Sequence, residues 1–187
     1  SPLITDIILV TGAESVAFCK EEIVEKYGLT KVTKVIPGGK ERYDSVYEGL
    51  LACENSDFVL IHDGARPFIT QEILERGMNG ARETGACVIG MPSKDTVKVA
   101  DEKGFVQETP ERNLVWSVQT PQIFEYSLIR NAHEKIRCGN MEGITDDAMV
   151  VERASGAKIS LAEGSYKNLK ITTPEDLDIA EIFLKNI

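Results

Sequence analysis

The sequence predicts an α/β fold built on a mainly parallel sheet, and three observations carry that prediction. Short continuous apolar runs, such as Phe58-Val59-Leu60-Ile61, suit strands buried on both faces, where side chains do not alternate. Stretches of helix formers follow these runs at the length of a crossover helix, the connection that parallel neighbours require. Polar and glycine-containing clusters close the runs abruptly, as in His62-Asp63-Gly64-Ala65-Arg66-Pro67. In open α/β sheets, ligands bind at the carboxyl ends of strands. An Asp in an ordinary strand-to-loop exit is the plainer reading of that one segment.

Taken in order, Asp6–Val10 reads as a buried strand and 17–27 as a helix stopped by Gly28. Residues 31–36 form the next strand, broken by Pro37-Gly38-Gly39. Helix 41–53 follows, with Tyr43, Val46, Tyr47, Leu50 and Leu51 at helical spacing. After the strand at 58–61, Thr70 caps a helix that ends near Gly85, and 86–91 is the fourth strand before Pro92. The rhythm then changes. Residues 95–99 and 105–109 alternate polar and apolar around a turn at 101–104, which is a hairpin with one apolar side. An isolated hairpin is barely stable, so residues 92–112 read as an arm reaching to a partner subunit.

Residues 113–118 are expected to resume the core, followed by a helix over 126–137 and another opened by Thr145-Asp146-Asp147. Residues 158–161 and 168–171 read as two further strands. Thr173-Pro174-Glu175-Asp176 is a helix start with a Thr cap, Pro at the first position and acids in the first turn. The helix that follows, with Leu177, Ala180, Ile182, Phe183 and Leu184, is expected to pack on the sheet. No repeat or linker divides the chain, so residues 1–187 read as one domain with an arm.

A formal charge of −9 argues against a general nucleic-acid or anionic-membrane binder. No apolar run reaches membrane-span length and no signal peptide opens the sequence. Cys19, Cys53, Cys87 and Cys138 are scattered, which fits a reducing cytoplasm better than a disulfide framework or a zinc site.

Polar clusters at strand ends are the candidate chemistry. Gly38-Gly39 before a helix lets backbone approach a ligand, and the helix N-terminus favours anions, although a bare Gly-Gly turn is common. Lys170 sits inside a predicted strand, where a solvated edge residue is the plain alternative. Arg112 at the base of the hairpin also suits a surface ion pair, and Thr145 a helix cap. His62 and His133 have no partner at catalytic or metal-ligand spacing and read as structural.

Together these segments resemble the 2-C-methyl-D-erythritol 4-phosphate cytidylyltransferase family. The resemblance rests on Gly38-Gly39-Lys40-Glu41-Arg42-Tyr43-Asp44-Ser45-Val46, His62 to Phe68, Asp95-Thr96-Val97-Lys98 and Glu111-Arg112. It continues through Leu114 to Phe124, Thr145-Asp146-Asp147-Ala148, Glu163-Gly164 and Asn168 to Leu177. One departure stands out: the family opens with a strand and a Gly-rich loop, carrying an Arg and a Lys for the triphosphate, ahead of the segment at Asp6–Val10. A sheet without that central strand exposes an apolar strip, so the expectation is that the segment belongs to the protein but lies outside this sequence. A chain that truly began at Ser1 is expected to be inactive.

The resemblance implies a Rossmann-like sheet of the nucleotide-diphospho-sugar transferase type with a protruding β-hairpin arm. It implies nucleotidyl transfer from CTP to methylerythritol phosphate, with Mg²⁺ bound mainly through the CTP phosphates. Gly38, Gly39, Ser45, Asp63, Gly64 and Ala65 would form the nucleotide side, Asp63 either holding ribose or sitting near the metal, and Arg66 bracing the loop. The family often has Asp where Lys40 stands, which puts a base contact from that side chain in doubt. Lys170 and Arg112 would be catalytic, and Thr96, Arg112, Thr120, Thr145, Lys170 and Thr172 would bind the sugar phosphate. The arm would cross to a second subunit in a cytoplasmic homodimer. A ribitol 5-phosphate cytidylyltransferase is the nearest alternative, disfavoured by the run through Trp116 and by Thr145 to Ala148. A non-catalytic nucleotide-binding or dimerisation protein is the alternative of another class.

Overall fold

In the computed structural model, which describes residues 1–54, 56–139 and 142–185, the first apolar run forms β1 (Ile7–Thr11). The predicted helix after it is built in three patterns. A 3₁₀ turn (Ala13–Ser15) leads into α1 (Val16–Phe18), which continues as a π-helical stretch (Cys19–Glu25). Gly28, at φ +59°, closes that segment in the left-handed conformation a glycine adopts without strain. β2 (Val32–Pro37) and α2 (Arg42–Ala52) follow; Glu41 and Asp44 open α2 as a capping box. β3 (Phe58–Ile61) then leads to α3 (Gln71–Thr84), where Thr70 Oγ1 accepts from the Ile73 N–H. Gly85, at φ +79°, ends α3.

β4 (Ala86–Pro92) is followed by the hairpin of β5 (Val99–Ala100) and β6 (Val106–Glu108). The hairpin is antiparallel and shorter than the sequence suggests, with its register shifted between Val99 and Ala100. Asp101 Oδ1 builds its turn by accepting from the Lys103 and Phe105 N–H groups. Next come β7 (Trp116–Glu125), α4 (Tyr126–Arg137) and α5 (Asp147–Ser155), the last capped by Asp146 and closed by Gly156. β8 (Ser160–Glu163) and α6 (Pro174–Leu184) complete the order, with Thr173 and Asp176 forming the capping box of α6.

The chain divides into two compact units, Ser1–Ile61 with Phe124–Lys158, and His62–Ile123 with Ile159–Ile187. In the first, β1 and β2 pair in parallel, Leu9 opposite Val35 and Val10 opposite Ile36. Ile129, Ala132 and Ile136 of α4 and Val150, Val151 and Ala154 of α5 are buried where these two helices pack. In the second, β4 and β8 pair in parallel, Val88 opposite Leu161, with β7 on the other side of β4. Helix α3 packs on β4 and β8, burying Ile73, Leu74, Met78 and Ala81, a stripe at helical spacing. Parallel pairs with crossover helices are what the sequence predicted.

Four expectations are corrected. Residues 113–118 do not resume the core: Leu114 is 73% exposed and Val118 44%, and burial begins only at Gln119. The strand expected at 158–161 lies at Ser160–Glu163. Residues 168–171 form no strand, because their backbone is held loop by loop. The Asn168 N–H donates to the Ser165 carbonyl, the Asn168 carbonyl accepts from Arg66, and the Ile171 N–H donates to the Ala65 carbonyl. Finally, α6 does not bury its apolar face as expected. Ala180 is buried and Phe183 meets Phe68 edge-on, but Leu177, Ile179, Ile182 and Leu184 are exposed.

Ile89 is fully buried in β4, beneath α3. Ile89→Ala is expected to lower the unfolding free energy by about 2–5 kcal/mol, the range for truncating a core aliphatic. Urea unfolding measures it; a loss below about 1 kcal/mol would mean this strand is not central to the core.

Candidate active site

The second unit brings together segments far apart in sequence. Where β3 hands over to the loop at His62, the polar side chains interlock. The Asp63 N–H donates to Thr120 Oγ1 at 3.0 Å, and Thr120 Oγ1 lies 3.0 Å from His62 Nδ1. His62 Nε2 is 3.0 Å from the Arg66 carbonyl, and the Arg66 N–H donates to the Asp63 carbonyl at 3.0 Å. One arrangement satisfies all of these: Thr120 donates to Nδ1 of a neutral imidazole, whose Nε2–H donates to the Arg66 carbonyl. Although His62 keeps an exposed edge, desolvation of its ring holds the pKa below the ordinary value of 6.5, outweighing the Arg66 carbonyl and the Asp63 charge, which favour the protonated ring.

Asn168 ties this loop to its neighbour. Its buried amide donates to the Thr120 carbonyl at 2.9 Å and to Gln119 Oε1 at 3.2 Å. Gln119 Nε2 in turn donates to the Ser165 carbonyl at 2.8 Å, and Arg66 Nη1 to the Asn168 carbonyl at 2.7 Å. Burial lowers the Arg66 pKa, the opposing pull of Asp63 being the smaller effect. The product of this bracing is an ion pair. Lys170 Nζ sits 2.9 Å from Asp63 Oδ2, with the lysine side chain 44% exposed and the aspartate 17%. Arg66 Nε lies 4.0 Å from the same oxygen. At Gly64 a Cβ would meet nothing within 4 Å, so the loop surface beside Asp63 is open.

Thr120, Asp63, Gly64, Ala65 and Lys170 therefore lie in one connected loop cluster. Thr172 is next to it but engaged: its N–H and hydroxyl both go to Asp176 Oδ2, at 2.8 and 3.1 Å, within the start of α6. The Thr172 and Thr173 N–H groups, both donating to Asp176 Oδ2 at 2.8 Å, lower the Asp176 pKa. Thr96 is exposed between β4 and β5, and Arg112 is exposed in the 3₁₀ turn before β7. Among the described residues, no hydrogen bond or ion pair joins either side chain to the cluster. A group of three or more His, Cys, Asp or Glu side chains able to cage a metal is absent from the described residues.

In the first unit, β2 ends at the Gly38-Gly39 turn, where the Gly38 N–H donates to the Thr11 carbonyl at 2.7 Å. The Gly39 N–H donates to Ser45 Oγ at 3.1 Å. A Cβ on Gly39 would overlap the Asp44 Cβ, so the turn needs glycine there for close approach. Thr145 is exposed immediately before α5, and Asp146, not Thr145, supplies the cap by accepting from the Met149 N–H.

The sequence did not single out Asn168, Gln119 or the acidic and basic residues around α2 as site residues. Asn168 stands two positions from Lys170 inside a segment that carries the family resemblance, and its total burial as a polar side chain is the signal that singles it out. His62 does have a partner, Thr120, but one placed by the fold and not by sequence spacing.

Comparison with known proteins follows the same lines. The sequence profile of the family described as 2-C-methyl-D-erythritol 4-phosphate cytidylyltransferase matches residues 1–186. A protein of that name from Lachnoclostridium phytofermentans is 48% identical over 183 residues, covering 98% of this chain and 78% of its own. One from Geobacter metallireducens is 46% identical over 189 residues, covering 99% and 80%. Among solved structures, the 4-diphosphocytidyl-2C-methyl-D-erythritol synthase of Anaerococcus prevotii aligns with TM-score 0.87 and 35% identity, over 97% of this chain and 79% of that one. The Thermus thermophilus 2-C-methyl-D-erythritol 4-phosphate cytidylyltransferase gives 0.72 and 35%, over 82% and 74%.

The depressed His62 pKa sets a sign. Just below its ordinary value of 6.5 the unfolded chain binds more protons at this site than the folded protein, so stability falls as pH falls through that window. In urea unfolding between about pH 7.5 and 5.5, His62→Gln is expected to flatten the pH slope relative to the parent. Equal slopes would mean that His62 is not held neutral.

Proposed function

The chain belongs to the 2-C-methyl-D-erythritol 4-phosphate cytidylyltransferase family, and from that premise we propose that it joins CTP to 2-C-methyl-D-erythritol 4-phosphate. An oxygen of the sugar phosphate attacks the α-phosphorus of CTP, the new O–P bond forms in line, and the bond to the leaving pyrophosphate breaks. Two polyanions must meet, so positioning and charge neutralisation carry the rate. The observation that carries the reading is the half-exposed Lys170 ammonium, held 2.9 Å from Asp63 on a loop braced from beneath by Asn168.

Lys170 is a compact positive charge that can turn from Asp63 towards incoming phosphate oxygens and stabilise the crowded phosphorus centre. Asp63 and the braced backbone keep it oriented beforehand. We assign nucleotide contacts to Gly38, Gly39 and Ser45 in the first unit and to Gly64 and Ala65 in the second, and sugar-phosphate contacts to Thr145 in the first and to Thr96, Arg112, Thr120 and Thr172 in the second. Because Thr120 and Thr172 already bond within the protein, their contribution is to shape loops more than to donate freely.

Once Lys170 turns from Asp63 towards phosphate, the carboxylate stands beside a polyanion, which is repulsive unless another cation lies between them. Mg²⁺ is held by one or two carboxylates together with substrate phosphates, and Asp63 suits that donor set where a dedicated protein cage would not. Bound with CTP, the ion would neutralise phosphate charge. The hairpin leaves Val99, Phe105 and Val106 exposed at 41%, 69% and 61%, apolar area that supports its use as an arm on a second copy in a homodimer. The described residues contain no helix long and apolar enough to cross a membrane. We place the enzyme in the cytoplasm on its scattered cysteines, a pattern that suits a reducing compartment.

Pyrophosphate release from CTP by the full-length enzyme tests the reading, with methylerythritol phosphate expected as substrate; turnover with ribitol 5-phosphate instead would overturn it. In that assay Lys170→Ala is expected to lower kcat about 10²–10³-fold, the effect of losing one preorganised oxyanion donor. Near-parental turnover would remove Lys170 from the chemistry. Arg112→Ala is expected to raise KM for the sugar phosphate and leave that for CTP; the reverse pattern would place Arg112 on the nucleotide.

A further inference from the structure

The first unit holds a charged network that the proposed reaction does not use. Arg42 is the first residue of α2 and Asp147 the first of α5; Arg42 Nη1 lies 2.8 Å from Asp147 Oδ2. The Asp147 side chain is fully buried. Behind it, also fully buried, His133 of α4 places Nε2 3.8 Å from Asp147 Oδ1, and its ring stacks on Tyr47 with centroids 6.0 Å apart. Arg137, in the last turn of α4, lies 4.5 Å over the same Tyr47 ring, and its Nη1 reaches Asp44 Oδ1 at 2.6 Å. Asp44 is the residue on which Gly39 rests, and its other oxygen accepts from the Glu41 N–H at 3.3 Å.

Two ion pairs thus pin the first turn of α2. One fastens it to α5, two residues after Thr145; the other fastens it to α4. We propose that Arg42 and Arg137 are positioning residues: the Arg42–Asp147 pair holds the Gly38-Gly39 turn in register with Thr145, and the Arg137–Asp44 pair holds the turn alone. This rests on the cytidylyltransferase reading, in which the turn lies on the nucleotide side and Thr145 on the sugar-phosphate side. A buried carboxylate is a costly thing to keep in a fold, and its removal for an apolar pair is often neutral for stability. Retaining Asp147 is therefore better explained by what its partner orients. An arginine suits the task because its planar fork fixes direction as well as charge.

The two arginines should separate kinetically. Arg42→Met is expected to raise KM for both substrates roughly tenfold, and Arg137→Met to raise it for CTP only, because small misplacements of a binding turn are that expensive. Arg42→Lys, which keeps charge without the fork, should recover part of the loss. Lowered melting temperature with both KM values unchanged would mean a purely structural role and overturn the proposal. Should Arg42→Met fail to fold, Asp147→Asn keeps the side-chain shape, removes the charge and is expected to show the same double effect. A ligand-free measurement separates this from the functional reading: amide hydrogen exchange at Gly39 is expected to rise in both Met variants. If the full-length parent turns over neither polyol phosphate, the cytidylyltransferase reading fails, yet raised exchange still supports the clamp and unchanged exchange still removes it.

Discussion

The second unit depends on one buried amide. Asn168 is fully buried in a segment with no strand ladder to hold it, and its side chain does the work a ladder would do. Its NH₂ group satisfies the Thr120 carbonyl and Gln119 Oε1, while its backbone carbonyl accepts from Arg66. Buried polar groups of this kind are expensive when unpaired and rigid when paired. Two loops, at 62–66 and 165–171, and residues 119–120 of β7 are therefore held as one body, and Lys170 and Asp63 meet on its surface. Replacing Asn168 with an apolar residue would remove a buried donor from the Thr120 carbonyl and from Gln119 Oε1, which also accepts from the Ser165 N–H at 3.5 Å.

This division of labour is what a polyanion site needs. The core beneath, β4 with α3, is apolar and fully packed, so it supplies rigidity without charge. The loops supply charge and hydrogen-bond donors, which must be open to substrate and are positioned by the scaffold. The exposure of Lys170 lets its ammonium change partner, whereas Arg66, more buried, is committed to bracing. The first unit repeats the scheme with different means. There a glycine turn supplies access and ion pairs at the ends of three helices supply the bracing.

Much of this was legible in the sequence, and for identifiable reasons. Continuous apolar runs located β1, β3 and β4, and caps such as Thr70 with Gly85 or Thr173 with Asp176 located α3 and α6, because these signals are local. Signals that depend on distant partners were not legible. Residues 113–118 read as core from their apolar content, yet Leu114 and Val118 face outward. Residues 168–171 read as a strand because Leu169 and Ile171 alternate with polar residues, while side chains from elsewhere had already claimed the backbone. Asp63, Thr120 and Lys170 were each named from their segments, but their meeting is a product of topology. His133 and Asp147, or Asp44 and Arg137, could not be paired from spacing at all.

The central claim is that the Asn168 network exists to present Lys170, so the two residues should act as one unit in catalysis. A double-mutant cycle on the rate of pyrophosphate release, with Asn168→Leu, Lys170→Ala and the pair, measures this directly. If Lys170 acts only when the loop is braced, Asn168→Leu slows turnover severely, and the double variant is no slower than Lys170→Ala alone. Losses that multiply independently would show that the brace and the lysine serve separate ends, and would contradict the account.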